Sequence, residues 1–394
     1  MASGHHALHV RHLVRYGSCD DWATATFLIP RELYDRVLCQ LTPPESAILR
    51  DCSRILEEDD TWRWIRGWIK NDHAARFIYV EYLNLFESCQ YSIFFLFFET
   101  ALYQIALCPL PRFGVSGLMF RPTFYYHHNG MLHAGLKNRV VFLIKWLAAY
   151  ACAKRPGIAR VLTFDPLSQE HALHHWNSSK FQAIPDPLGP EPGAEAVVEL
   201  SERGPRESLT LLIAGSLSAR KGISEVVQAL MQSPEQIRRC VVLRVVGQPE
   251  SGHAESITTA LKKLEDGGVK LRTDLRFVTD GELDSHIRQA DAVLTLYRDF
   301  KGSSGIVIRA AHFGKPVIST GEGLLGYLVR HNKLGKTIDL EQDGILAASL
   351  EQLMLTGEVA GFDALAARRF ADSSDPALFA RSVMDSADGS TNQR

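Results

Sequence analysis

The stretch Leu209-Thr210-Leu211-Leu212-Ile213-Ala214-Gly215-Ser216-Leu217-Ser218-Ala219-Arg220-Lys221-Gly222 decides the fold. An apolar run ends in a basic glycine turn. Ile223, Val226, Val227 and Leu230 then recur at i, i+3, i+4 and i+7, the spacing of an amphipathic helix. A second loop, Lys301-Gly302-Ser303-Ser304-Gly305, leads into another helical pattern and on to Gly314-Lys315-Pro316-Val317-Ile318. Two such turns at the carboxyl ends of parallel strands are how α/β proteins hold phosphate groups. Small residues let the backbone close in, helix N-termini point N–H groups outward, and lysine or arginine adds charge. The residues therefore point to a phosphorylated ligand.

Outward from this stretch, strand and helix signals alternate. Strands are expected at 209–214, 241–246 (ending at Gly247), 275–278, 292–296 and 316–319, with helices at about 255–264 and 282–289 between them. This alternation implies βαβ units and a parallel, doubly wound sheet. The first half is more mixed. Leu8, Val10, Leu13 and Val14 fit a short helix, 22–29 a strand, and Pro30-Arg31-Glu32 the start of a second helix. Buried strands are expected at 77–80, 118–120 and 161–164, a basic, aromatic helix at 137–154, and a last short strand at 183–184. Residues 93–107 read as one buried helix packed on a sheet, with a membrane-surface helix as the alternative. Glu99, Thr100 and Gln104 interrupt this run and Pro109 closes it, short of the ~20 apolar residues that span a bilayer.

The chain has 394 residues, beyond the size at which one core keeps growing, so two domains are expected. Gly189, Pro190, Pro192, Gly193, Gly204 and Pro205 mark a linker. The expected division is 1–190, a linker at 191–206, a second domain at 207–360, and closing helices with a polar tail at 361–394. A net charge of -2 without a basic cluster argues against a nucleic-acid partner. The seven cysteines are scattered, with no Cys-x-x-Cys pair, and the N-terminus lacks an apolar signal region. Reduced thiols in the cytoplasm are the expectation, with no metal site.

The ordered set of motifs resembles the nucleotide-sugar glycosyltransferases of the two-Rossmann-domain (GT-B) architecture, in particular the retaining group 1 family. The turn at 213–222 resembles that family's G-R-L-x-x-x-K-G phosphate loop, and Val245-Val246-Gly247 its I-V-G strand end. Phe277-Val278-Thr279-Asp280 with Glu282-Leu283 resembles the loop before the helix that ends in an "A-D" pair, here Ala290-Asp291. Residues 302–318 resemble G-F-G-L-x-x-L-E-A-M-A-x-G-K-P-V-I. The resemblance spans about 209–340. It implies two Rossmann-like domains with a cleft between them, no metal and no cofactor beyond a nucleotide-diphosphate sugar. It also implies a saccharide, lipid-linked or small-molecule acceptor on the N-terminal side. The basic, aromatic helix at 137–154 admits a peripheral membrane contact. Gly4-His5-His6 resembles the start of the helix after the family's first strand, yet only three residues precede it, so that strand is absent or supplied elsewhere.

By this resemblance Ser216, Arg220, Lys221, Gly302, Ser303, Ser304 and Gly305 hold the donor diphosphate, where donors offset the charge growing on the leaving phosphate. Gly247, Val278 and Thr279 lie near the base. His127 and His128, in Phe124-Tyr125-Tyr126-His127-His128-Asn129, are the catalytic candidates, with Asp165 and Glu81 weaker ones. The chain departs from the pattern in three places. Ser216 stands where the family has an arginine, and Lys301 and Arg309 stand where it has two glutamates facing the donor sugar and ribose. A carboxylate accepts hydroxyl hydrogen bonds, whereas these cations only donate, so the change makes the pocket more positive. Each residue also has a plain reading: Arg220 and Lys221 as a solvated turn, Ser303-Ser304 as a helix N-cap, Arg309 as a salt-bridge residue. The reading divides between a transferase with an altered donor contact and a non-catalytic partner on the same fold, with a phosphorylase or epimerase as a third class.

Overall fold

The computed structural model describes residues 4–18, 22, 25–56, 92–100, 102–107, 110, 114–126, 136–189, 208–298, 300, 302–339, 342 and 344–387. The chain divides into two compact units. One comprises Met1–Pro187 and Asp375–Arg394, the other Leu188–Ser374.

In the first unit, α1 (Gly4–Tyr16) precedes β1 (Phe27–Pro30), α2 (Arg31–Leu38), α3 (Pro43–Asp51) and β2 (Ser53–Leu56), and β1 and β2 pair in parallel. Then follow β3 (Ile93–Phe95), α4 (Leu102–Leu107), β4 (Val115–Met119), α5 (Leu136–Lys154), β5 (Ile158–Thr163), α6 (Pro166–Trp176) and β6 (Phe181–Ala183). The last four strands form a parallel sheet in the order β3-β4-β5-β6. Every residue of β4 is buried, as a central parallel strand covered on both faces requires.

Residues 93–107 do not form the single helix expected of their apolar run. Ile93, Phe94 and Phe95 pair with Val115, Ser116 and Gly117, a short turn follows at Phe98–Thr100, and only Leu102–Leu107 is α-helical. Aromatic and β-branched side chains suit a pleated surface. Gly117 makes room for the turn, since a Cβ there would lie 2.5 Å from the Phe98 ring. The strand expected at 77–80 and the linker at 191–206 lie outside the described residues.

The second unit contains β7 (Leu209–Ala214), α7 (Ile223–Gln232), α8 (Glu235–Cys240), β8 (Val241–Val246), α9 (Ala254–Asp266), β9 (Lys270–Asp274), α10 (Asp280–Arg288) and β10 (Ala292–Thr295). After these come α11 (Gly305–His312), β11 (Val317–Thr320), α12 (Gly323–His331), β12 (Gly335–Ile338), α13 (Ile345–Thr356) and α14 (Ala364–Ser373). Six parallel strands run in the order β12-β11-β10-β7-β8-β9, so the direction of winding reverses between β7 and β10. Such a reversal opens a crevice at the strands' carboxyl ends. Ile223, Val226, Val227 and Leu230 of α7 are all buried against this sheet.

The strand expected at 275–278 instead occupies Lys270–Asp274, paired with Val242–Val246. As an edge strand it is polar and largely exposed, so hydrophobic patterning pointed past it to the loop beyond. That loop is tied down by Arg276, whose guanidinium meets Asp274 at 3.0 Å and Glu282 at 2.6 Å. The final helix, α15 (Pro376–Ala387), packs on α1 and β4 of the first unit.

A buried polar group in the first unit links stability to pH. Asp165 is fully enclosed, caps α6 by accepting from Leu167 N at 3.0 Å, and accepts from the Tyr125 hydroxyl at 2.5 Å. Burial pushes its carboxyl up from 3.8 to about 6, against the pull of these bonds. The folded chain therefore holds this proton more tightly than the unfolded chain. Stability from this source is complete below pH 3.8 and is lost as pH rises through about 6. Asp165→Asn keeps a competent helix cap and removes the ionisation, and the rotatable Tyr125 hydroxyl accommodates the new amide. The variant is expected to reduce the fall in stability between pH 4 and pH 7 by about 2–3 kcal/mol, read from urea unfolding at both values.

Candidate functional site

The glycine turn and the 302–305 loop meet at the winding reversal of the second unit. Gly215 leaves β7 with φ +102°, and Gly247 leaves β8 with φ +133°. A Cβ on Gly247 would lie 2.0 Å from the Gly215 carbonyl oxygen, so only glycine permits this approach. Gly222, at φ +69°, is equally constrained, because a Cβ there would lie 1.9 Å from Leu296 O.

These close approaches bury Lys221 at 7% exposure. Its Nζ donates to Ala214 O at 3.0 Å and to the Tyr297 hydroxyl at 2.8 Å, bridging the ends of β7 and β10. Both acceptors are neutral, and no carboxylate among the described residues pairs with this ammonium. A charge taken out of water with only neutral acceptors leaves a strong field for an anion. The hydroxyl of Ser218, buried in the same turn, makes no hydrogen bond among the described residues.

Arg220 is exposed, with its guanidinium 4.9 Å over the Phe300 ring. Phe300 meets Tyr297 edge-on at 5.1 Å, and Lys221 Nζ lies 4.2 Å from the Tyr297 ring centre. Two aromatic rings thus link the two cations. Arg298 fixes the connection: its amide donates to Arg220 O at 3.0 Å and its side chain meets Glu225 at 2.7 Å. Sequence reasoning missed Tyr297 and Phe300. Their signal was two aromatics between a buried strand and a small-residue loop.

Ser304 occupies the N-cap position of α11 in extended conformation, and its hydroxyl makes no cap bond. The plain N-cap reading of this serine therefore does not describe its side chain. Its carbonyl accepts from Val307 and Ile308, so the first turn is formed and the helix's leading amides point outward. Gly302 is buried, Ser303 and Gly305 are half-buried. Gly215 joins the two loops. A Cβ built on it would have Lys221 Nζ at 3.1 Å and Ile306 Cδ1 at 3.9 Å, placing the lysine and the start of α11 together.

Other expected site residues are differently engaged. The Ser216 hydroxyl donates to Glu250 at 3.0 Å, so this turn carries a carboxylate beside its cations. Thr279 is committed to a capping box: its amide donates to Glu282 at 2.7 Å and its hydroxyl bonds the same carboxylate. Val278 packs at the edge of the core. Asp165, a weaker catalytic candidate, is enclosed as a helix cap. His127, His128, Lys301 and Glu81 lie outside the described residues. Among those described, no cluster of three or more potential metal ligands occurs.

Arg309 does not add free positive charge, contrary to the expectation drawn from its position. It is 4% exposed; Nη2 meets Asp280 at 2.6 Å, and Nη1 bonds Asp284. The two carboxylates come from consecutive turns of α10, so Arg309 braces α11 to α10. Gly189 covers the guanidinium, with an added Cβ lying 2.5 Å from Nη2. Burial pushes the Asp284 carboxyl up despite this partner. Removing the cation strands a buried carboxylate, so Arg309→Met is expected to lower stability by about 3–5 kcal/mol in denaturant unfolding.

Comparison with known proteins agrees with this fold. The family described as Glycosyl transferases group 1 matches residues 208–355. No curated protein matches the chain. Among solved structures, the chain is similar to WaaG, a glycosyltransferase involved in lipopolysaccharide biosynthesis, at 17% identity and a TM-score of 0.54, covering 85% of this chain and 87% of that one. It is similar to Anabaena HepE in complex with UDP and glucose at 14% identity and a TM-score of 0.61, covering 97% and 95%. Sucrose-phosphate synthase from Thermosynechococcus elongatus aligns at 15% identity and a TM-score of 0.52, covering 82% and 76%. The chain therefore has the mixed α/β GT-B fold, and its residues 208–355 carry the group 1 glycosyltransferase signature.

Proposed function

We propose that the protein is a glycosyltransferase that takes a sugar from a nucleotide-diphosphate donor bound to its second unit, with retention of anomeric configuration. The observation that carries the reading is the buried Lys221, held at the winding reversal beside the N-terminus of α11. In this reading the donor diphosphate lies against Lys221, Arg220, the hydroxyls of Ser218 and Ser304, and the leading amides of α11. As the sugar–phosphate bond breaks, negative charge grows on the β-phosphate, and these preset donors stabilise it without rearranging. No cofactor besides the donor is called for.

The missing family glutamates have a counterpart in this reading. Asp280 gives one oxygen to Arg309 and remains half exposed next to Val278 and Thr279. A carboxylate so placed accepts hydrogen bonds from donor hydroxyls, the role that Lys301 and Arg309 cannot fill. That the solved complex of HepE holds UDP and glucose supports uridine nucleotides as the first donors to try. The acceptor is a saccharide, lipid-linked or small-molecule hydroxyl compound on the side of the first unit, where His127 and His128 are the candidates for contact with the reacting sugar.

The test is a thermal-shift series with UDP, GDP, ADP, CMP and their sugar conjugates, followed by turnover with the donor that binds. One nucleotide is expected to raise Tm. Lys221→Met, which keeps the buried stem and removes the charge, is expected to abolish that shift and to lower kcat by about 10²–10³. Absence of any shift from the folded wild-type chain overturns the donor site. Binding without turnover identifies a non-catalytic member of the fold.

A further inference from the structure

Helix α5 turns an apolar face to solvent. Val140, Leu143, Ile144 and Leu147 are 51%, 57%, 48% and 51% exposed, and their spacing places them on one side of the helix. Tyr150 continues the same stripe at 38%. The opposite side, with Phe142, Ala148, Ala149, Cys152 and Ala153, is buried in the first unit's core. A helix on a soluble domain ordinarily shows polar residues outward; here both sides are apolar. The helices packed against it each add one more exposed leucine: Leu107 of α4, 82% exposed, and Leu173 of α6.

The charge on this helix selects its occupant. Its nineteen residues contain Lys137, Arg139, Lys145 and Lys154 and neither aspartate nor glutamate. A second copy facing it would set like charges together with no acid to meet them. An anionic bilayer surface offers apolar depth for the leucines and negative headgroups for Arg139, which is exposed beside the same stripe. Tyr150, stacked parallel on Trp146 at 5.5 Å, supplies a ring with a polar tip, the kind of side chain that sits at a lipid–water boundary. No helix among the described residues is long and apolar enough to cross a membrane, so the geometry is that of a helix lying on the surface.

We propose that the exposed face of α5 docks the protein onto membranes bearing anionic lipid. This inference uses no feature of the second unit and stands or falls independently of the donor reading.

Flotation of the full chain with phosphatidylcholine vesicles, with and without phosphatidylglycerol, tests it, alongside sedimentation of the protein alone. The chain is expected to float with the anionic vesicles and to remain at the bottom with the neutral ones. Arg139→Gln is expected to weaken partitioning about fivefold, the cost of one cation near a charged surface. Leu143→Glu with Leu147→Glu is expected to abolish flotation while leaving circular dichroism and the melting profile unchanged, since both side chains face water in the folded protein. Failure to float with anionic vesicles, equal flotation with neutral ones, or flotation of the folded double variant overturns the proposal. So does a dimer that this double substitution disperses, which would assign the face to a second copy.

Discussion

The second unit is organised around the buried ammonium of Lys221, which no carboxylate among the described residues pairs with. An ammonium buried between β7 and β10 is tolerable only if its hydrogen bonds are satisfied, and the chain meets that condition with Ala214 O and the Tyr297 hydroxyl. The surrounding features follow from this. Gly215 and Gly222 bring the turn in close enough to bury the lysine, and Arg298 ties the loop after β10 to the turn through Arg220 O. The sheet's winding reversal creates the space in which α11 starts alongside. Backbone amides at the head of α11 add to the same positive field.

The charge of Arg309 is settled internally. Arg309 spends its guanidinium on Asp280 and Asp284, joining α11 to α10. Asp165 illustrates a related principle in the first unit. A carboxylate can be enclosed when Tyr125 and the first turn of α6 donate to it, although burial still raises its proton affinity.

Much of this was legible in the sequence because parallel strands buried on both faces leave continuous apolar runs, and phosphate-holding turns need small residues at fixed places. Residues 209–222 and 302–318 have the sequence pattern of such strands and turns. The edge strand β9 was misplaced because its side chains face water and its pattern is polar. Residues 93–107 misled in the opposite way: Phe and Ile serve a strand, a turn and a helix equally well, and length alone suggested the helix. At the candidate site, residue types singled out Lys221 and Arg309, while the partners that give them their state are distant in sequence. Tyr297 lies 76 positions from Lys221 and Asp284 lies 25 from Arg309, and a single sequence carries no record of such pairings.

The return of α15 to α1 and β4 bears on how the chain folds. Only the second unit, Leu188–Ser374, is one uninterrupted segment. During synthesis it has all its residues before the first unit does, although the first unit starts at the N-terminus. The usual amino-to-carboxyl order of domain completion is therefore reversed. Until Phe379, Ala380 and Val383 emerge, the apolar cluster around Leu118, Leu162 and Phe164 lacks part of its cover, so the first unit completes its core later than its place in the sequence implies.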